Sequence, residues 1–116
     1  MFCFRRKDTE SGDAPESLRR LRLRFCGEVQ GVGFRWTSRI IADKTGCTGW
    51  VRNDSDGTVA MELQGTNDQI SRWFGGLSSS YARYPIDYRI DEKAEIDPVS
   101  DERGFEVAEP DRKSVV

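Results

Sequence analysis

Hydrophobic positions in this chain change period several times, and each change marks an element. Leu21, Leu23 and Phe25 alternate with Arg22 and Arg24, which predicts a half-buried strand with one apolar and one charged face. Order is expected to begin near Leu18, and the parity runs on through Gly27 to Val29. A glycine-rich turn follows, Gln30-Gly31-Val32-Gly33. From Phe34 to about Lys44 the residues suit a helix. Ile40, Ile41 and Ala42 are apolar, Trp36 stands four residues before Ile40, and Gly46 is placed to end the helix in the left-handed conformation.

A second strand is predicted over Thr48 to Asn53, carrying Trp50 and Val51. Asp54-Ser55-Asp56-Gly57 has the chemistry of a turn. Val59, Met61 and Leu63 alternate beyond it, so a third strand pairs with the second as a hairpin and ends at Gly65. Thr66 and Gln69 have the spacing of a capping box. Ile70, Trp73, Phe74 and Leu77 then form one apolar helical stripe, with Gly75 and Gly76 expected to fray or stop it. Ile86, Tyr88 and Ile90 predict one face of a fourth strand. A charged loop with Pro98 and Gly104 comes next, and Phe105 and Val107 suggest a short final strand.

The order β-α-β-β-α-β is the split β-α-β, ferredoxin-like layout of an α+β domain: two helices packed on one face of an antiparallel sheet. Residues 1–18 and 110–116 are polar and lack periodicity. They are expected to be flexible tails around one domain at 19–109. The layout hosts many functions and decides none.

Charge and composition narrow the chemistry. The chain has 116 residues, enough for one core, and 18 basic against 20 acidic side chains. A formal net charge of −2 supplies no general field for nucleic acid. No apolar run reaches the roughly 20 residues of a membrane span, and the N-terminus lacks the pattern of a secretory signal. The cytoplasm is the expected compartment. Cys3, Cys26 and Cys47 are odd in number with no C-x-x-C pair, which suggests neither a disulfide framework nor a zinc site. Histidine is absent. Ser-His and Cys-His nucleophiles and the commonest general base are therefore excluded. Asp54 and Asp56 share a hairpin turn with no third ligand nearby, so no metal is expected there.

The stretch from Gly27 to Arg35 holds the chemical interest. A strand ends, a glycine-rich loop turns and a helix begins. Amides at a helix start have no partner inside the helix and, with the dipole, favour an anion. Gly31 and Gly33 let a ligand approach the backbone. Arg35 falls in the first turn, where its planar fork suits two phosphate oxygens. The same residues also fit a tight turn with Arg35 in solvent. The loop is neither a nucleotide P-loop nor a dinucleotide fingerprint. Asn53, at the end of strand two, fits turn chemistry or a site brought against the first loop at one edge of the sheet.

Gly27-x-Val29-Gln30-Gly31-Val32-Gly33-Phe34-Arg35, then Gly49-Trp50-Val51-Arg52-Asn53, then Asp56-Gly57-Thr58-Val59 and Gly65, resemble the acylphosphatase family. The resemblance covers roughly Leu21 to Val107. It implies a ferredoxin-like sandwich that hydrolyses the carboxyl–phosphate bond of small-molecule acyl phosphates without a cofactor. By position, Arg35 resembles the family's phosphate-binding arginine. Gln30, Gly31, Val32, Gly33 and Phe34 resemble the loop whose amides surround the phosphate, and Asn53 the residue that orients the attacking water. Ser78-Ser79-Ser80-Tyr81 stands where relatives often carry Gly-Pro, which leaves the register of strand four open. A monomer is the simplest expectation.

Two other readings compete. An RNA-binding domain of this layout should carry aromatics on its central strands, yet Gly33-Phe34-Arg35-Trp36 lies at a helix start. An acylphosphatase-like accessory module in carbamoyl-group transfer would share the first motif, but such modules sit in much longer chains with zinc-binding cysteines.

Overall fold

The computed structural model describes residues 17–31, 33–83 and 85–108. The expected tails fall outside them except for residues 17 and 18, and so does Val32. Five strands and two helices follow in the order β1 (Arg19–Gly27), α1 (Phe34–Thr45), β2 (Thr48–Asn53), β3 (Val59–Gly65), α2 (Asn67–Ser80), β4 (Tyr88–Ile96) and β5 (Phe105–Val107). The sheet order is β4-β1-β3-β2-β5. The first four strands are antiparallel, and β5 adds a short parallel edge beside β2. This is the ferredoxin-like α+β layout with the extra strand at its rim. Among the described residues no helix is long and apolar enough to cross a membrane.

Alternation decides which face is covered. Leu21, Leu23 and Phe25 on β1, Val51 on β2, and Val59, Met61 and Leu63 on β3 are all buried. They form one core with Phe34, Ile41 and Ala42 of α1 and Ile70, Trp73 and Leu77 of α2. Trp73 is fully buried, and its indole N–H donates to the Ser38 carbonyl at 3.2 Å. The bond removes the penalty of an unpaired buried donor.

Three local expectations change. The buried stripe of α1 is Phe34, Ser38, Ile41 and Ala42; Trp36 is 61% exposed and Ile40 38%. Helix α2 runs through Gly75 and Gly76 to Ser80. A Cβ on Gly76 would lie 2.8 Å from Ile41 Cγ2, so the missing side chain lets the two helices close together, and packing outweighs propensity. Strand β4 extends to Ile96, across part of the expected loop, and its register against β1 shifts between Arg24 and Phe25. Ile90, paired with Phe25 on this edge strand, is 37% exposed.

The opposite face of the sheet is covered in part by residues 97–104. Arg20 on β1 is only 2% exposed there. Its guanidinium donates to Glu62 at 2.8 Å, Gln64 at 2.9 Å and Glu102 at 2.7 Å. Gln64 exchanges two hydrogen bonds with the Val99 backbone, of 2.8 and 3.0 Å. Burial works against the Arg20 cation, but Glu102 and Glu62 outweigh it and hold its pKa above the ordinary arginine value.

Candidate active site

Helix α1 starts in a way α2 does not. The N-cap of α2 is Thr66, whose hydroxyl accepts from the Gln69 amide, while the Gln69 side chain accepts from the Thr66 amide. Asp68 adds a negative charge in its first turn. The N-cap of α1 is Gly33, at φ 75°, with no side chain closing the first turn and no acid within it. Gly31 also has a positive φ, 81°, and a Cβ at either glycine would meet open space. Both glycines therefore serve backbone conformation in an open loop rather than close packing. Among the described residues no side chain caps the first amides of α1, and the first charged group of the helix is the cation of Arg35.

The side chain of Phe34 points away from this loop. It is buried, with ring centroids 4.9 Å from Phe25, 6.4 Å from Tyr81 and 6.3 Å from Tyr88. Phe34 thus pins the helix start to the core and leaves its backbone for the loop. Val29, 1% exposed, anchors the other end.

Gln30 joins the two sequence motifs. Its side-chain amide donates to the carbonyls of Asp54 and Thr58, both at 2.9 Å. The first loop is therefore tied to the β2–β3 turn, one residue beyond Asn53. Sequence alone placed Gln30 in the loop but not as this strut, because its partners are backbone carbonyls distant along the chain. Asn53 closes β2 opposite Val59. Its side-chain oxygen is buried and without a hydrogen-bond partner among the described residues. An orphaned buried acceptor is uncommon in a folded protein.

The turn acids are engaged by the chain itself. Asp54 accepts from Arg52 at 2.8 Å. Asp56 accepts from the Thr58 hydroxyl at 2.6 Å and the Thr58 amide at 3.0 Å, and these bonds lower its pKa below the usual carboxylate value. Of the cysteines, Cys47 is buried, and burial pushes its thiol pKa up.

A cavity of about 320 Å³ opens beside the loop, lined by Gly31, Gly33 and Arg35 together with Val29, Phe34, Trp36, Arg39 and Val107. Trp36 and Val107 were placed on elements by their sequence pattern, but no motif marked them as lining a site.

A sequence model of the family described as acylphosphatase matches residues 21–107. The chain is similar to the acylphosphatase of Pediococcus pentosaceus, 36% identical over 63 residues, which cover 54% of this chain and 70% of the relative. It is 37% identical to that of Bacillus licheniformis over 77 residues, covering 66% of this chain and 86% of the relative. Among solved structures, an acylphosphatase from Coxiella burnetii superimposes with a TM-score of 0.60 at 28% identity, covering 78% of this chain and 93% of that one. HypF of T. kodakarensis superimposes with a TM-score of 0.62 at 30% identity, covering 78% of this chain and 12% of that one.

Proposed function

The chain belongs to the acylphosphatase family, and from that membership we propose that it hydrolyses acyl phosphates with Arg35 and Asn53 as the working pair. The observation that carries the proposal is the Gln30 bridge, which joins an uncapped helix start to the end of the strand bearing Asn53. Arg35 and the amides of the loop, Gln30, Gly31, Val32, Gly33 and Phe34, hold the phosphoryl oxygens. Asn53 uses its orphaned oxygen to accept a hydrogen bond from the attacking water and so aims the water's lone pair at phosphorus.

The reaction needs little from the protein beyond this. The water oxygen bonds to phosphorus as the phosphorus–oxygen bond to the acyl group breaks. The bonding pair leaves on the carboxylate, whose conjugate acid has a pKa of about 4, so no general acid is required. The water proton passes to a phosphoryl oxygen of the substrate. Positioning and charge stabilisation supply the rest, which suits a chain with no histidine.

Hydrolysis of benzoyl phosphate in ¹⁸O-labelled water, with EDTA present, tests this path. Label in inorganic phosphate supports attack at phosphorus. Label in benzoate would place the attack at the acyl carbon and sink the mechanism, and loss of turnover with EDTA would require a metal. The likeness to HypF, over 12% of that chain, favours a second reading in which such a domain serves within a larger protein. A folded chain that binds phosphate yet turns over no acyl phosphate would support it.

A further inference from the structure

The face of the sheet opposite the helices holds a second cavity, of about 440 Å³, within the range of small-molecule pockets. Its shape follows from strand register. Ala60 of β3 pairs with Arg24 of β1 on one side and with Arg52 of β2 on the other. Neighbouring strands lie about 4.8 Å apart, so the two arginine backbones stand roughly 10 Å apart across a methyl group. In the next row on this face Glu62 pairs with Arg22 and with Trp50. A small residue among long ones leaves a depression over Ala60, with the Trp50 indole diagonally adjacent.

The arginines here are held but not saturated. Asp91 accepts from Nε and Nη2 of Arg24, at 3.2 and 2.9 Å. Glu62 accepts from the same two atoms of Arg22 at 3.4 and 3.3 Å, while its other oxygen takes Arg20 at 2.8 Å. Asp54 accepts only from Nε of Arg52, whose guanidinium is held over Trp50, 5.0 Å from the ring centroid. A guanidinium carries five N–H donors, and among the described residues nothing accepts from Nη1 of these three. The cavity is also lined by Glu92, whose carboxylate accepts no hydrogen bond from a described residue. Three arginines face three acids, Asp54, Glu62 and Glu92. The lining is therefore balanced in charge, yet it keeps unused groups of both signs.

We propose that this cavity binds a zwitterion, a free α-amino acid with an apolar side chain. Its carboxylate takes the unused guanidinium N–H groups, its ammonium takes Glu92, and its side chain covers the Ala60 methyl. A simple anion would leave Glu92 opposing it, and a simple cation would meet three guanidinium groups. No residue that lines this cavity lines the one beside the loop, so binding here does not depend on the hydrolysis proposed above.

The test follows the arginine Nε–H and Trp50 indole NMR signals of the full chain during titration with phenylalanine, hydrocinnamate and phenethylamine, which share a ring and differ in charge. Phenylalanine should saturate them with a Kd of about 1 mM. Each of the others lacks one charged hydrogen-bonding group and should bind at least about tenfold more weakly. Glu92→Gln should remove the preference for phenylalanine over hydrocinnamate. Ala60→Leu fills the depression and should abolish binding. Ala60 alternates with the buried Val59 and Met61, so this variant should keep the wild-type melting temperature and its turnover of benzoyl phosphate. Equal binding of hydrocinnamate and phenylalanine overturns the zwitterion and leaves a plain anion site. Shifts confined to the Gly31 and Gly33 amides would place the ligand at the loop and overturn the sheet-face site. The absence of any saturable shift with phenylalanine overturns it altogether.

Discussion

An arginine in the first turn of a helix stands where the helix field is positive. At α1 that position is filled by Arg35, and no acid in the turn and no cap offsets it. The arrangement is unfavourable in an empty protein and favourable around a dianion, which is the electrostatic case for a phosphoryl site. The orphaned oxygen of Asn53 makes the same point for water. Around them, small polar bonds hold the turn that positions Asn53. Asp56 illustrates this: with its pKa lowered by the Thr58 hydroxyl and amide, it stabilises the fold above the ordinary value of 3.8, and that contribution is lost as pH falls through the depressed folded value. An NMR titration of the Asp56 carboxyl should therefore find a midpoint below 3.8, moving upward in Thr58→Ala. A midpoint unaffected by the substitution would remove Thr58 as the cause.

Among elements, β1 carries two loads. One face supplies the core, and the other buries Arg20 beneath residues 97–104 through Glu62, Gln64 and Glu102. Removing one side of a buried ionic cluster leaves the other charges desolvated. Arg20→Ala should cost about 3–5 kcal/mol in urea unfolding, and a cost below about 1 kcal/mol, the scale of an exposed pair, would show the cluster to be merely superficial. Arg20 also marks where sequence runs out: as one of three arginines that alternate with Leu21 and Leu23 it falls on the charged face of the strand, and a segment some eighty positions away covers it. Elements set by neighbours in sequence were legible. The Thr66–Gln69 cap, the Gly46 stop and the β2–β3 hairpin each depend on a few adjacent residues. Those set by contacts across the fold were not. The continuation of α2 through Gly76 involves Ile41 of the other helix, and the register shift of β4 arises in its pairing with β1. The motifs that hold the proposed pair, Arg35 and Asn53, are local in sequence; the Gln30 strut emerges only from the assembled sheet edge.

Across the whole molecule the two faces of the sheet have different characters. The helix-covered face is bordered at one end by the loop and the cavity beside it. The opposite face presents Arg22, Arg24 and Arg52, but each is paired with a carboxylate, Glu62, Asp91 and Asp54 respectively. Arg52 also lies over Trp50, 5.0 Å from the ring centroid. That face is neutralised by its own acids, which weakens the case for nucleic acid on the sheet and directs attention to the loop edge. The central claim is that Arg35 and Asn53 divide the work there. Its most direct test is benzoyl phosphate turnover, together with inhibition by inorganic phosphate, in wild type, Arg35→Ala and Asn53→Ala. Arg35→Ala should lose both turnover and phosphate inhibition. Asn53→Ala should lose about 100-fold or more in kcat, yet still be inhibited by phosphate as the wild type is. A folded Asn53→Ala protein that retains most of its kcat would contradict the division, and so would an Arg35→Ala protein inhibited by phosphate as strongly as the wild type.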